Sequence, residues 1–118
     1  EIRDGAGISI LFHSNGIPRS LGFYTNGVRN GPMVSWYSNG IIKGFYLYQS
    51  GQVHGTHYDW YEKGNIRTSS SYDRGLMKES IMWYESGVVK EHQYRDEKNA
   101  RVIETYSTNG DLVERQAF

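Results

Sequence analysis

The chain has 118 residues, enough for one ordinary domain, and its 13 Lys and Arg balance 13 Asp and Glu to a net charge of zero. A dedicated nucleic-acid or anionic-membrane binder is normally basic, so both partners lose ground, and the absence of Cys excludes disulfides, thiol nucleophiles and Cys-ligated zinc. Hydrophobic residues make up only 37%, but aromatics reach 14% with 10 Tyr, the mark of a chain that folds.

The chain opens Glu1-Ile2-Arg3 without a Met, which implies a trimmed start. A cytoplasmic location is expected, or a periplasmic one if a leader has been removed. No apolar run approaches the roughly 20 residues that span a bilayer. The first turn signal is His13-Ser14-Asn15-Gly16. It recurs as Tyr37-Ser38-Asn39-Gly40, Tyr61-Glu62-Lys63-Gly64, Tyr84-Glu85-Ser86-Gly87 and Ser107-Thr108-Asn109-Gly110, at glycine spacings of 24, 24, 23 and 23. Between these lies a second series: Tyr24-Thr25-Asn26-Gly27, Tyr48-Gln49-Ser50-Gly51 and Tyr72-Asp73-Arg74-Gly75. Its fourth member, Tyr94-Arg95-Asp96-Glu97, keeps the Tyr and loses the Gly. A third series, Gly7, Gly31 and Gly55, stands nine residues before the first three glycines of the first, and Glu79 lies near its fourth place.

Repetition at a fixed period of this length is the signature of a repeat architecture. Each half period carries one Gly-centred turn, and the segments between are rich in Tyr, Trp, Ile and Val, which suits strands. The spacing predicts one domain over residues 1–118, about five hairpin units of 23–24 residues, folded as a meander of about ten antiparallel strands. Asn39-Gly40 read as a two-residue type I′ loop sets Tyr37 opposite Ile42, Trp36 opposite Lys43, Ser35 opposite Gly44, Val34 opposite Phe45 and Met33 opposite Tyr46. Two ladders follow. One face carries Phe12, Trp36, Trp60, Trp83 and Tyr106, expected to stack as the core and to pair with Arg19, Lys43, Arg67 and Lys90 in cation–π contacts. The other carries His13, Tyr37, Tyr61, Tyr84 and Ser107.

The motif Trp-Tyr-x-x-Gly-x-Ile-Lys, followed about eleven residues on by Tyr-x-x-Gly-x-x-x-Gly, resembles the MORN-variant repeat of bacterial YwqK-type antitoxin proteins, from about Gly7 to Leu112. The resemblance implies an all-β fold of hairpins in one elongated, twisted, single-layer sheet. It implies protein binding and, in bacterial toxin loci, neutralisation of a partner toxin, with no catalytic residues to carry over. Met77-Lys78-Glu79-Ser80 and Arg95-Asp96-Glu97-Lys98-Asn99 depart from the pattern, as a capping repeat or as a repeat altered to fit a partner.

Chemistry is sparse. His54 and His57 are three residues apart, so on a strand they point to opposite faces and do not chelate one ion without a bend; Gly55 could provide one, but no third ligand of obvious spacing follows. Asp59 and Glu79 fall on different strands and opposite faces, which separates them as an acid/base pair. Ser69-Ser70-Ser71 interrupts an otherwise aromatic strand, as a recognition patch or a solvated edge. Residues 1–59 hold four basic and three acidic side chains and residues 60–118 hold nine and ten, so recognition by ion pairs is expected in the second half.

The expectation is a non-enzymatic protein-binding module without metal or cofactor, of the immunity or antitoxin kind, which covers a cognate toxin or effector. Its contact residues are expected to be Tyr37, Tyr61, Tyr84, Tyr46, Asp59, Met82, Glu79 and Glu91, because Tyr gives large contact area at low entropic cost. The alternatives are a membrane-associated scaffold using the Arg19, Lys43, Arg67 and Lys90 line, or a carbohydrate or cell-envelope module using the Trp ladder. Pairing of a second copy at the edge strands is left open.

Overall fold

A computed structural model of the chain describes residues 2–3 and 6–118. The strands are β1 (Ile2–Arg3), β2 (Ala6–Phe12), β3 (Pro18–Thr25), β4 (Val28–Trp36), β5 (Ile42–Gln49), β6 (Gln52–Trp60), β7 (Ile66–Asp73), β8 (Leu76–Trp83), β9 (Val89–Arg95), β10 (Arg101–Tyr106) and β11 (Leu112–Ala117). They form one open antiparallel sheet in strict chain order, and the described residues contain no helix. Its extents are 49 × 35 × 13 Å. Packed sheets lie about 10 Å apart, so a molecule 13 Å thick has one layer and no second one to cover it. Val102 is the one buried apolar side chain among the described residues.

The two glycine series build two different turns. In the second series both loop residues take positive φ, as at Asn26 (52°) and Gly27 (79°), and Thr25 pairs directly with Val28. These are the type I′ loops that Asn-Gly favours. Ser50-Gly51 and Arg74-Gly75 repeat them. In the first series only the glycine is left-handed: Gly40 has φ 88°, whereas Asn39 does not enter that region. Gly40 N–H donates to the Tyr37 carbonyl at 2.9 Å, and Tyr37 N–H donates to the Ile41 carbonyl at 2.8 Å. This is a type I turn closed by a glycine bulge.

The longer turn corrects the predicted register close to the loop. Ser35–Gly44, Val34–Phe45 and Met33–Tyr46 pair as expected. Trp36, however, pairs with Ile42, and Lys43 is the extra residue of a bulge. The same shift sets Trp60 against Ile66, Trp83 against Val89 and Tyr106 against Leu112. The cations therefore leave the indoles. Lys43, Arg67 and Lys90 lie over the rings of Tyr37, Tyr61 and Tyr84, at 5.7, 5.9 and 5.6 Å from the centroids.

The third glycine series marks bulges. Between the pairs Tyr46–His57 and Tyr48–Val53, β6 inserts His54-Gly55-Thr56 opposite Leu47 alone, with Gly55 at φ 78°. β4 does the same at Asn30-Gly31-Pro32. In β8 the glycine is missing and the bulge shrinks to Lys78, which accounts for the shorter period there. The Tyr94-Arg95-Asp96-Glu97 site likewise changes its turn. Asn99 takes φ 63° in the role of the glycine, and Asp96 accepts from the amides of Lys98 and Ala100 at 2.9 Å.

Candidate protein-binding surface

Residues opposite one another in a ladder share a face, so the pairing sorts every side chain. One row runs Ile10, Leu21, Val34, Phe45, Tyr58, Ser69, Ile81, His92, Glu104, Arg115. On the same face, two residues along each even-numbered strand, stand Phe12, Trp36, Trp60, Trp83 and Tyr106, now beside Pro18, Ile42, Ile66, Val89 and Leu112. The sequence-predicted ladder thus does share a face. It is not a sealed core: the three indoles are half-buried, and Phe12 and Ile10 are 58% and 51% exposed. Trp60 packs against Tyr58 of its own strand, centroids 5.8 Å apart, and among the described residues no two indoles touch. Strand spacing explains this. Successive Trp residues sit two strands apart, roughly 9–10 Å, with an Ile or Val between.

This tryptophan face changes character along the sheet. It is aliphatic and aromatic from β2 to β6, then turns polar at Ser69 and Ser71. From β8 onward it carries an ionic chain: His92 Nε2 lies 2.7 Å from Glu79, His92 Nδ1 lies 3.8 Å from Glu104, and Arg115 lies 3.6 Å from the same Glu104.

The opposite face holds Met33, Tyr46, His57, Ser70, Ser80 and Gln93 in one row, and Ser35, Gly44, Asp59, Thr68, Met82 and Glu91 in the next. The predicted contact residues Tyr46, Asp59, Met82 and Glu91 therefore lie together, and Glu79 lies on the other side of the sheet. Tyr46 Oη donates to Asp59 Oδ1 at 2.7 Å, and His57 Nε2 lies 3.4 Å from Asp59 Oδ2. The His57 ring sits 3.7 Å from Tyr46 and 5.6 Å from Tyr72, with its Nδ1 buried and unpartnered. Burial raises the Asp59 carboxyl, but the hydrogen bonds to His57 and Tyr46 and the nearby positive charge outweigh it and hold the group below its ordinary value. Burial, then the bond to Asp59, pushes the Tyr46 phenol well above its own. Ser70 Oγ donates to Ser80 Oγ at 2.9 Å, so the centre of the serine run is a buried, satisfied pair and not a patch.

Tyr37, Tyr61 and Tyr84 occupy neither row. Each hydroxyl reaches one repeat along and donates to a backbone carbonyl: Tyr37 to Trp60 at 2.6 Å, Tyr61 to Trp83 at 2.6 Å, Tyr84 to Tyr106 at 2.8 Å. His13 Nε2 makes the same link to Trp36 at 2.8 Å. The turn asparagines add a parallel line, Asn15 to Ser38, Asn39 to Glu62 and Asn65 to Glu85. These tyrosines are lateral ties between hairpins, a role the constant Tyr-x-x-Gly spacing signals once the turn class is known.

Among the described residues no group of three or more His, Asp or Glu is arranged to hold a metal ion. His54 and His57 flank the Gly55 bulge: His57 stacks with Tyr46 and Tyr72, while His54 accepts the Arg74 amide at 3.2 Å. No protein-family model matches the chain, and no curated protein matches it. Among solved structures, a chain in the crystal structure of accessory secretory protein 1, 2 and 3 in Streptococcus pneumoniae is similar at 15% identity and a TM-score of 0.45. The match covers 89% of this chain and 19% of that one, so this chain spans about a fifth of its length.

Proposed function

We propose that the chain is a non-enzymatic protein-binding module of the immunity or antitoxin kind, which neutralises a cognate bacterial toxin or effector in the cytoplasm by lying against it. The observation that carries this reading is the tryptophan face: a row of aromatic and aliphatic side chains on a sheet with no second layer. Soluble monomers seldom leave contiguous apolar patches beyond a few hundred Å² uncovered, and such patches mark interaction surfaces. Half-buried Trp residues at the centre of a face are typical energetic anchors of protein interfaces. The YwqK-type resemblance of the repeat supplies the toxin link.

The test is capture of partners from the native host, with each one then expressed alone and together with this chain. A stoichiometric partner that stops growth alone and is rescued by co-expression supports the reading. Trp60→Ala should weaken its binding about 30-fold, the value of a central anchor worth about 2 kcal/mol. Retention of glycans or lipids without any protein partner overturns it.

A carbohydrate-binding role is the second reading, because Trp36, Trp60 and Trp83 lie half-buried on one face. Their partners on that face are Ile42, Ile66 and Val89, which give a sugar no hydrogen bonds. It therefore ranks below the protein interface.

A further inference from the structure

Arg95 of β9 stands directly opposite Arg101 of β10. Like charges at opposed positions of an antiparallel pair repel each other. A chain of zero net charge has carboxylates to spare, yet none is spent here. Arg95 Nη1 donates to the Asn99 carbonyl at 3.3 Å, and Arg101 Nη2 donates to Gln93 Oε1 at 2.9 Å. Among the described residues neither arginine forms an ion pair with a carboxylate, and neither does Lys78. The neighbouring acids are engaged elsewhere: Glu91 with Gln93 Nε2, Asp96 with its own turn amides, Glu79 with His92. Glu97 stands at the exposed tip of the turn.

The three cations line one groove of about 270 Å³, walled by Leu76 and Met77. It exists because the fourth repeat departs from the three before it. The glycine bulge of β4 and β6 becomes Lys78 in β8, and the five-residue turn at Asp96–Ala100 replaces a two-residue loop. Both departures bring cations to the same place.

We propose that this groove takes an acidic segment of the partner protein, whose carboxylates sit between the Arg95 and Arg101 guanidinium groups with Lys78 beside them. A planar guanidinium matches a carboxylate with two parallel hydrogen bonds, and a ligand carboxylate relieves the repulsion that the free protein carries. Leu76 and Met77 offer apolar contact to the rest of a peptide, which a bare phosphate does not use. The inference rests on the protein-binding reading and adds a second, ionic contact at the far end of the sheet, on the Gln93 face opposite the tryptophans.

Amide NMR of the full chain, titrated with the peptide Glu-Leu-Glu-Glu-Leu-Glu, tests it, with inorganic phosphate and a uridine oligonucleotide as comparisons. The peptide should shift the amides of Lys78, Arg95 and Arg101 selectively, and moderate salt should reverse the shifts. Arg95→Gln with Arg101→Gln should weaken binding about tenfold or more. Arg95→Glu should abolish binding while raising the melting temperature, since it converts a repulsive pair into an attractive one; a purely structural arginine would lower it. Unchanged binding in the double variant, no shifts at these amides, or tighter binding of phosphate or the oligonucleotide overturns the proposal. If a captured toxin is lost by Trp60→Ala but held by the double arginine variant, the groove assignment fails and the protein-binding function stands.

Discussion

The Tyr61 hydroxyl donates to the carbonyl oxygen of Trp83 at 2.6 Å, tying one hairpin to the next across the strand between them. Backbone ladders already join every strand to its neighbour, so this bond is a second, longer tie that spans a whole repeat. A sheet without a buried core depends on such ties more than a layered fold does.

Removing the hydroxyl should therefore cost stability and leave recognition alone. Tyr61→Phe should lower unfolding free energy by about 0.5–1.5 kcal/mol, the net value of one hydrogen bond. Thermal or urea unfolding checks this, and partner affinity should change little.

Gly44 and Gly40 should fail for different reasons when changed to Ala. A Cβ on Gly44 would stand 2.7 Å from Tyr46 Oη, so the ring must swing away and release Asp59. A Cβ on Gly40 meets nothing within 4 Å, but its φ of 88° strains any L side chain. Both variants should lose about 1–2 kcal/mol. Only Gly44→Ala should also return the Asp59 carboxyl toward its ordinary value, which a pH titration of the side-chain signal would register.

Asp59 contributes to the acid limb of stability. Its folded carboxyl lies below the unfolded value of 3.8, so its contribution is present above that value and is lost as pH falls through the folded one. Tyr46 works at the other extreme. Its phenol is raised above 10.0, so its contribution is present below pH 10.0 and is lost on stronger alkalinisation. Unfolding free energy measured from pH 2 to 6 should fall less steeply for Asp59→Asn than for the parent chain.

Tryptophan emission should report the open face. The three half-buried indoles should be quenched by acrylamide in the free protein and shielded once the partner binds. Resistance to the quencher in the free protein would mean that the face is already covered, for instance by a second copy.

Much of this was legible in the sequence. The 23- and 24-residue spacings carried the repeat, the strand meander and the register away from the loops, because glycines at a fixed period place turns at a fixed period. The turn class was not legible. Asn39-Gly40 and Asn26-Gly27 read alike, yet the first belongs to a type I turn with a bulge and the second to a type I′ loop. In the first, Asn39 Oδ1 accepts the Ile41 amide while its Nδ2 donates to Glu62 one repeat away, and no local rule contains that distant partner. That single residue of difference moved Lys43 from Trp36 to Tyr37. The role of Tyr37, Tyr61 and Tyr84 was hidden for the same reason, since a hydroxyl's partner 22 or 23 residues on depends on how hairpins stack. The like-charge pair Arg95–Arg101 became visible only when the Asp96–Ala100 turn fixed which residues oppose.

A plate 13 Å thick has little interior in which to absorb a change. Phe45 and Tyr46 are adjacent in one strand and look out on opposite sides, with only the backbone between them. A side chain that pushes the strand on one surface is felt on the other. Each surface is thus a lever on its reverse, and sequence drift on the side away from the partner would still retune how the partner is held.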